Sequence, residues 1–414
     1  MKQLLLFQPS VETLRFFSER LAEEYSALGY EVALVHIHEP FSGTNELTEY
    51  LKRGETTLIT FNFHGLQREA IFHTKRKKLL LWDVFDVHCI NIVVDHPFYY
   101  YEELNYLPKH YLQICIDEDH ADYMRRFYPD VPLGDIMPLA GCRARAAFPF
   151  SDEESLPDFS VLRPFSQKTP SSPVLPSAER STDVVFTGCY TPPDFFLPYM
   201  NRNGEEYNSF YHGILNDLLA NPSQCIHTVF LRHLNRDLPD LSEEDLRNVM
   251  NKMIFLDLWI RFHFRGRVVK TLVDSGIPVH CIGVGWDLLD CKNKSLLTIT
   301  KYSDTSVCLR AIADARLSLN VMPWFKRGAH DRIYSSLQNG AVCVTDPSEY
   351  LLSRFADKDL LTFYHLENLS ELPALVSGLL SAPERMQEIA ARGTAYAEKM
   401  LGWDGFAKAL ERYL

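Results

Sequence analysis

No apolar run in this 414-residue chain approaches the roughly 20 residues that a helix needs to cross a bilayer. The opening stretch, Leu4-Leu5-Leu6-Phe7, holds only four apolar side chains in a row, too few for the core of a secretory signal. A cytoplasmic protein with no integral membrane segment is the expectation. Nine cysteines are scattered without a CxxC pair, which argues against a disulfide framework and against a structural zinc site. An excess of positive charge is also lacking. The net charge of −12 argues against a general nucleic-acid binder, which needs a broad cationic surface. Several catalytic signatures are missing as well. Gln8-Pro9-Ser10-Val11 stands where a dinucleotide-binding domain carries Gly-x-Gly-x-x-Gly, so NAD binding there is disfavoured. There is no Walker loop, no Gly-x-Ser-x-Gly elbow and no His-Glu-x-x-His.

What is present reads as a two-domain α/β protein. Hydrophobic residues make up 46% and charged residues 23%, and the length suits two domains better than one. Residues 2–8 read as a buried strand and 11–28 as an amphipathic helix with Val11, Leu14, Phe17, Leu21 and Leu28 on one stripe. Gly29 stops the helix and 31–37 reads as a second strand. This β-α-β opening predicts a parallel sheet. Further strands are expected at 57–62, 90–94, 111–116 and 135–139, each short and rich in Leu, Ile and Val, as strands covered on both faces are. Residues 1–150 form the first Rossmann-like domain in this reading.

A Pro- and Ser-rich stretch at 151–182 reads as a linker or surface excursion. The alternating pattern restarts at 183–188, and 183–395 is the expected second Rossmann-like domain. Residues 205–260 read as an inserted helical subdomain, 265–275 as a separate helix, and 278–283, 315–321, 341–345 and 360–364 as strands. The segment 396–414 reads as a C-terminal helix packing back on the first domain.

The residues around 315–350 carry the clearest chemistry. They read as strand, basic loop, short helix, glycine stop and strand. Lys326, Arg327 and Arg332 gather at the helix start, with Gly328, Ala329, His330 and Asp331 between them. A helix start offers unpaired N–H groups and positive dipole, so these cations point to a phosphate site. Arg332 in the first turn opposes the dipole unless an anion is near, which favours that reading over a solvated loop. Gly188 ends a strand ahead of Tyr190 and admits close backbone approach, although such glycines are common for local reasons. Gly283, with Gly285 and Trp286, ends another strand. Trp286 reads either as a platform for a flat base or as a core ring over a turn. The basic run Arg265-Gly266-Arg267-Val268-Val269-Lys270 reads either as part of one cluster with that strand end or as a solvated helix face. In the first half, Asn62 and His64 follow one strand and Asp95 and His96 another. They read either as caps or as groups for an acceptor hydroxyl, with Asp95 or His96 as a base.

At these motifs the chain resembles the GT-B glycosyltransferases, in particular the branch related to spore-maturation protein CgeB. The resemblance rests on Arg332-Ile333-Tyr334-Ser335 ahead of Gly340, on Val344-Thr345-Asp346, on the strands ending at Gly188 and Trp286, and on Val94-Asp95-His96-Pro97. It implies two Rossmann-like domains facing a cleft, with a helical insertion in the second. It implies transfer of a sugar from a nucleoside-diphosphate sugar to a glycan, protein or small-molecule acceptor, with no cofactor and no metal. Arg332, Asp95 and His96 would be the catalytic residues. Gly188, Tyr190, Gly283, Trp286 and the 326–332 segment would hold the donor, and Asn62, His64, Asp95 and His96 the acceptor. A nucleotide-sugar 2-epimerase of the same fold and a non-catalytic nucleotide-binding scaffold are the other readings. Relatives often carry a ribose-holding Glu where this chain has Ser335, and the seven-residue-spaced glutamate pair of many retaining relatives is absent.

Overall fold

The structure is a computed structural model. It describes residues 3–35, 44–66, 71–73, 78–145, 162–164, 171–202, 204–301, 304–323 and 325–414. The chain divides into two units. One contains Met1–Met137, Arg145–Ser171 and Trp403–Leu414, the other Pro138–Ala144 and Ser172–Gly402.

The first unit is built on β1 (Gln3–Phe7), β2 (Glu31–Val35), β3 (Thr56–Phe61), the small antiparallel pair β4 (Ile71–His73) and β5 (Lys78–Leu80), then β6 (His88–Val93), β7 (Tyr111–Cys115) and β8 (Leu162–Pro164). The main sheet runs β7-β6-β3-β1-β2-β8. Its first five strands are parallel and β8 pairs antiparallel to β2. This is the doubly wound order 2-1-3-4-5 with an added edge strand. The helix Glu12–Ala27 packs through Leu14, Phe17 and Leu21, whereas Val11 and Leu28 at its ends are exposed, so the buried stripe is shorter than expected.

The second unit contains β9 (Thr182–Thr187), β10 (Val279–Ile282), β11 (Leu297–Thr300), β12 (Ala315–Asn320), β13 (Val342–Thr345) and β14 (Leu361–Phe363). All its strands pair in parallel, in the order β11-β10-β9-β12-β13-β14. In chain order this is 3-2-1-4-5-6, the Rossmann arrangement, and it reverses between β9 and β12. Ligands of such sheets sit at that reversal, beyond the carboxyl ends of the strands. Val185, Ile282, Ile312, Ala315 and Ala341 form a core cluster beneath it.

Several sequence expectations need correction. Residues 135–139 do not form a strand. They run beside β7, with the Met137 amide donating to Cys115 O, but Pro132 and Pro138 lack the N–H donors of a ladder. The edge strand β11 went unforeseen because its sequence, Leu297-Thr298-Ile299-Thr300, is half polar. The helical insert comprises helices at Leu197–Asn201, Glu205–Ala220, Ile226–Asp237 and Glu243–Lys252. Its neighbour is not a separate helix at 265–275 but one long helix, Ile254–Asp274. Of the expected 151–182 linker, 151–161 and 165–170 lie outside the described residues, while 162–164 is β8. Its end is firmly built. Buried Arg180 donates to the carbonyls of Leu175, Ala315 and Asn339, and burial pushes its pKa down to about 10. The C-terminal boundary also moves. The helix Pro383–Met400 belongs to the second unit, and the part grouped with the first unit begins at Trp403. Among the described residues no helix is long and apolar enough to cross a membrane.

Candidate functional site

The candidate site lies at the strand-order reversal of the second sheet. β12 ends at Asn320, and the chain returns through 321–330 to the helix Asp331–Gln338. His330 caps that helix, accepting from the Arg332 amide at its Nδ1 at 3.2 Å, so the helix itself starts at Asp331. Gly340 follows the C-cap in the left-handed region at φ +70°, as the stop signal required. The Arg332 side chain turns inward rather than to solvent. Its Nε donates to Thr187 Oγ1 at 3.0 Å and its Nη1 to Asn320 Oδ1 at 2.7 Å. Its guanidinium carbon stands 5.2 Å above the Phe186 ring. One guanidinium thus joins the carboxyl ends of β9 and β12, the two strands between which the order reverses. The side chain is 7% exposed. Burial lowers its pKa from the free value, and Asp331 partly restores it. The arginine remains charged at any ordinary pH.

The turn after β9 is shaped by close backbone contact. Gly188 N donates to Ile282 O and Tyr190 N to Val284 O, so the β9–β10 pairing continues past the strands. A Cβ on Gly283 would lie 2.5 Å from Gly188 O, and one on Gly285 would lie 1.9 Å from Tyr190 O. Only glycine permits that approach. Trp286 is fully buried beneath this turn. Its indole N–H donates to Gly188 O at 2.7 Å and its ring stacks on Tyr190 at 5.0 Å. The core reading of Trp286 therefore replaces the base platform, because neither ring is open to a ligand face. Tyr190 is itself 8% exposed.

The return loop is held from behind. Asp346 accepts from the Met322 amide at 2.8 Å, Ser348 Oγ donates to Gly328 O at 2.7 Å, and the Glu349 amide donates to Lys326 O at 2.9 Å. Lys326 and Ala329 are buried, whereas Arg327, His330 and Asp331 are half-buried. His330 Nδ1 also lies 2.8 Å from Asp331 Oδ1. Burial first, and then the charge of Arg332, lowers the His330 pKa below its ordinary value. Trp324, within the same loop, lies outside the described residues.

Ser335 is buried, and its Oγ accepts from the Cys142 amide at 3.1 Å. Gly141 lies so close that a Cβ would stand 2.7 Å from Ser335 N. The position that resembles a ribose-holding Glu therefore seats residues 141–142. Arg265, read from the sequence as a solvated helix residue, is also buried. Its Nη1 donates to Cys189 O at 3.1 Å. Arg267, two residues on, is exposed.

In the first unit, the loops after β3 and β6 meet. Asn62 Nδ2 donates to Asp95 Oδ2 at 3.0 Å, Asn62 Oδ1 accepts from Val94 N at 2.8 Å, and Tyr100 Oη lies 3.3 Å from the same Asp95 oxygen. Asn62 holds φ +49°, and Asp95 stays half-buried. His96 does something different. It is 6% exposed, its Nδ1 accepts from the Phe98 amide, and its ring packs on Phe98, His120 and Tyr123. It serves as a cap inside an aromatic cluster, which disfavours it as a base. His64 is half-buried, and its carbonyl accepts from Thr60 Oγ1.

Residues 265–411 match a family model described as glycosyl transferase-like. No curated protein matches the chain. Solved structures do. A sucrose-phosphate synthase from Thermosynechococcus elongatus is similar over 100% of this chain and 98% of its own, at 10% identity and a TM-score of 0.53. An alpha-glucosyltransferase solved with UDP-glucose and DNA containing an abasic site is similar over 99% and 98%, at 8% identity and a TM-score of 0.53. These likenesses extend along both units, and the fold is that of the GT-B glycosyltransferases, two Rossmann-like domains.

Proposed function

We propose that this protein is a glycosyltransferase whose second unit binds a nucleoside-diphosphate sugar at the β9–β12 reversal. The observation that carries the reading is the buried Arg332 guanidinium bridging Thr187 and Asn320 at the carboxyl ends of those strands. A buried cation at the anion-binding place of a Rossmann sheet suits a phosphate ligand. The glycosyl transferase-like match and the solved structure with UDP-glucose support a sugar nucleotide over other phosphates.

The chemistry follows from where charge develops. When the glycosidic bond to the diphosphate breaks, negative charge grows on the leaving oxygen. In this reading the Arg332 guanidinium stabilises that charge without reorganising. The reading assigns this role to protein groups and proposes no metal requirement, so activity is expected to survive EDTA. In the first unit, Asp95 is the proposed base toward an acceptor hydroxyl, oriented by Asn62 and Tyr100. His96 keeps its capping role. A base is needed only if the reaction inverts the anomeric centre, which NMR of the product determines.

A thermal-shift screen with UDP-, GDP-, dTDP- and CDP-sugars tests the donor, and a transfer assay follows on the best one. Arg332→Ala should remove about 3 kcal/mol of transition-state stabilisation and slow transfer about a hundredfold or more. Wild-type turnover in that variant would sink the assignment. A second reading, nucleotide binding without transfer, is favoured by Ser335, whose hydroxyl is engaged with Cys142 rather than replaced by a ribose-holding carboxylate. Donor binding with no transfer to any acceptor, and no turnover of donor alone, would select it.

A further inference from the structure

The turn Pro193–Phe196 and the helix Leu197–Asn201 rest on the long helix Ile254–Asp274 through ring-on-ring contacts. Phe196 packs nearly parallel to Phe262, with ring centres 6.0 Å apart and planes 10° apart. Tyr199 packs on Phe255 in the same way, at 6.0 Å and 19°. Tyr211, from the helix Glu205–Ala220, meets Phe255 edge-on at 5.1 Å, so that ring is held from two sides. The outer members of this aromatic ledge stay open to solvent. Phe195 is 62% exposed, Tyr199 53% and Tyr207 50%. Single exposed rings are ordinary, but rings gathered like this mark a binding surface. The ledge also adjoins the candidate donor site, because Tyr190 in the turn after β9 meets the Phe262 ring at 6.5 Å.

Hydrogen-bonding groups among the same rings indicate what covers it. Trp259 stands one turn after Phe255 and three residues before Phe262, a spacing that makes all three neighbours on the helix surface. Its ring stacks on His263 at 4.8 Å and 12°. Trp259 Nε1 and His263 Nε2 are buried and have no hydrogen-bond partner among the described residues. Burial, and then the charge of Arg267, push the His263 pKa down to about 4, so the imidazole is neutral at ordinary pH and carries one donor and one acceptor. Tyr199 and Tyr207 add phenolic hydroxyls to exposed rings. An alkyl chain or an apolar helix would leave these polar groups unmade, which is costly once water is excluded. A sugar ring meets both demands, since its C–H face lies against an aromatic ring while its hydroxyls donate and accept. The exposed charges beside the rings in sequence are three carboxylates, Asp194, Glu205 and Glu206, against one guanidinium, Arg202. That balance disfavours an anionic polymer or an acidic lipid surface.

We propose that this ledge binds a neutral glycan chain, and that such a chain is the acceptor. The inference rests on the glycosyltransferase reading above and narrows its acceptor to one chemical class. In the transfer, an acceptor hydroxyl oxygen bonds to the anomeric carbon and the bond from that carbon to the diphosphate oxygen breaks with its electron pair. The hydroxyl proton goes to a base or to the leaving phosphate. The ledge takes no part in that step. It holds sugar units other than the reacting one, with Phe195 and Tyr199 as platforms and Trp259 and His263 as hydrogen-bonding groups.

Titration calorimetry of the full chain with maltohexaose, cellohexaose and chitohexaose tests it. Wild type should bind at least one of the three with a Kd below about 1 mM. Phe195→Ser and Tyr199→Ser change exposed rings, so each should keep the melting temperature within about 2 °C. Each should weaken that sugar about fivefold, as loss of an aromatic contact does. Trp259→Phe keeps a ring and removes the N–H, and should weaken it about threefold. Failure of wild type to bind any of the three, or unchanged binding in the double variant of Phe195→Ser with Tyr199→Ser, overturns the inference. It also falls if the double variant instead turns a wild-type dimer into a monomer in sedimentation, or releases the chain from phosphatidylcholine vesicles. The ledge would then serve a second copy or a lipid surface. The nucleotide-sugar thermal shifts separate this result from the donor reading. If those shifts occur and no hexasaccharide binds, only this inference falls. If a hexasaccharide binds at the ledge and no nucleotide sugar shifts the melt, the donor reading falls and the glycan site stands.

Discussion

Asp346 shows how much one residue contributes behind the site. It follows β13, and its Oδ1 holds the Met322 amide at the start of the basic loop. Its other oxygen is buried and has no hydrogen-bond partner among the described residues. Burial pushes its pKa up from 3.8 to about 6, and Lys326 offsets only part of that. Between those two values the folded protein keeps a proton that the unfolded chain releases. Stability from this group therefore falls as pH rises through that window and is constant above it. Asp346→Asn keeps the amide acceptor and removes the ionisation. It should be more stable than wild type at pH 7.5 by up to roughly 3 kcal/mol, with the difference gone near pH 4. Denaturant melts at the two pH values measure this. An equal effect at both would contradict the burial account. At the same scale, the place of Arg332 in the first turn of a helix was legible in the sequence. Its contacts with Thr187 and Asn320 were not, because they join positions 145 and 12 residues away in sequence.

At the scale of elements, the decisive feature is the paired turn at 188–190 and 283–285. Each glycine was visible in sequence as the end of a strand. What the sequence could not show is that the two turns touch, so that Gly283 and Gly285 are demanded by the backbone of Gly188 and Tyr190. Gly285 also holds φ +88°. Gly285→Ala should cost more than about 2 kcal/mol and weaken donor binding with it, because the turn that faces Arg332 must move. Gly378→Ala is the control. That glycine lies in the helix Leu372–Leu380 with nothing within 4 Å of a new Cβ. It should stabilise the protein by about 0.5–1 kcal/mol. Chemical denaturation of both variants gives the comparison, and a neutral Gly285→Ala would refute the close-contact account. The long helix Ile254–Asp274 teaches the same lesson. Its basic run read as a solvated face from composition, yet Arg265 is buried and Arg267 exposed. A rotation of about 200° separates positions two apart on a helix, and only packing decides which one turns inward.

For the whole molecule, the chain passes between its units more than once, and Trp403–Leu414 is grouped with the first unit. This tail packs on the helix Glu12–Ala27. Trp403 lies 5.4 Å from the Phe17 ring, Tyr25 Oη donates to Ala407 O, and Tyr30 Oη donates to Glu411 Oε1. Trp403, Phe406 and Leu410 are buried there. Deleting 403–414 should remove about 5 kcal/mol or more from the first unit, at roughly 1.5–3 kcal/mol for each large side chain. Limited proteolysis should then cut within Glu12–Ala27. An intact helix in the truncated chain would show that the tail is dispensable.

Hydrophobic periodicity along the chain was enough to establish two α/β units, the helical insert, most strands and the basic loop at 326–332. These are local properties, set by side-chain spacing and by glycine and proline stops. The tertiary structure decided the strand orders, the reversal between β9 and β12, and the burial of Arg332 and Arg265. It also placed Trp286 and His96 in supporting roles and turned Ser335 toward Cys142. Each of these depends on contacts between residues far apart in sequence, where burial and backbone approach select among side chains that local pattern leaves equivalent.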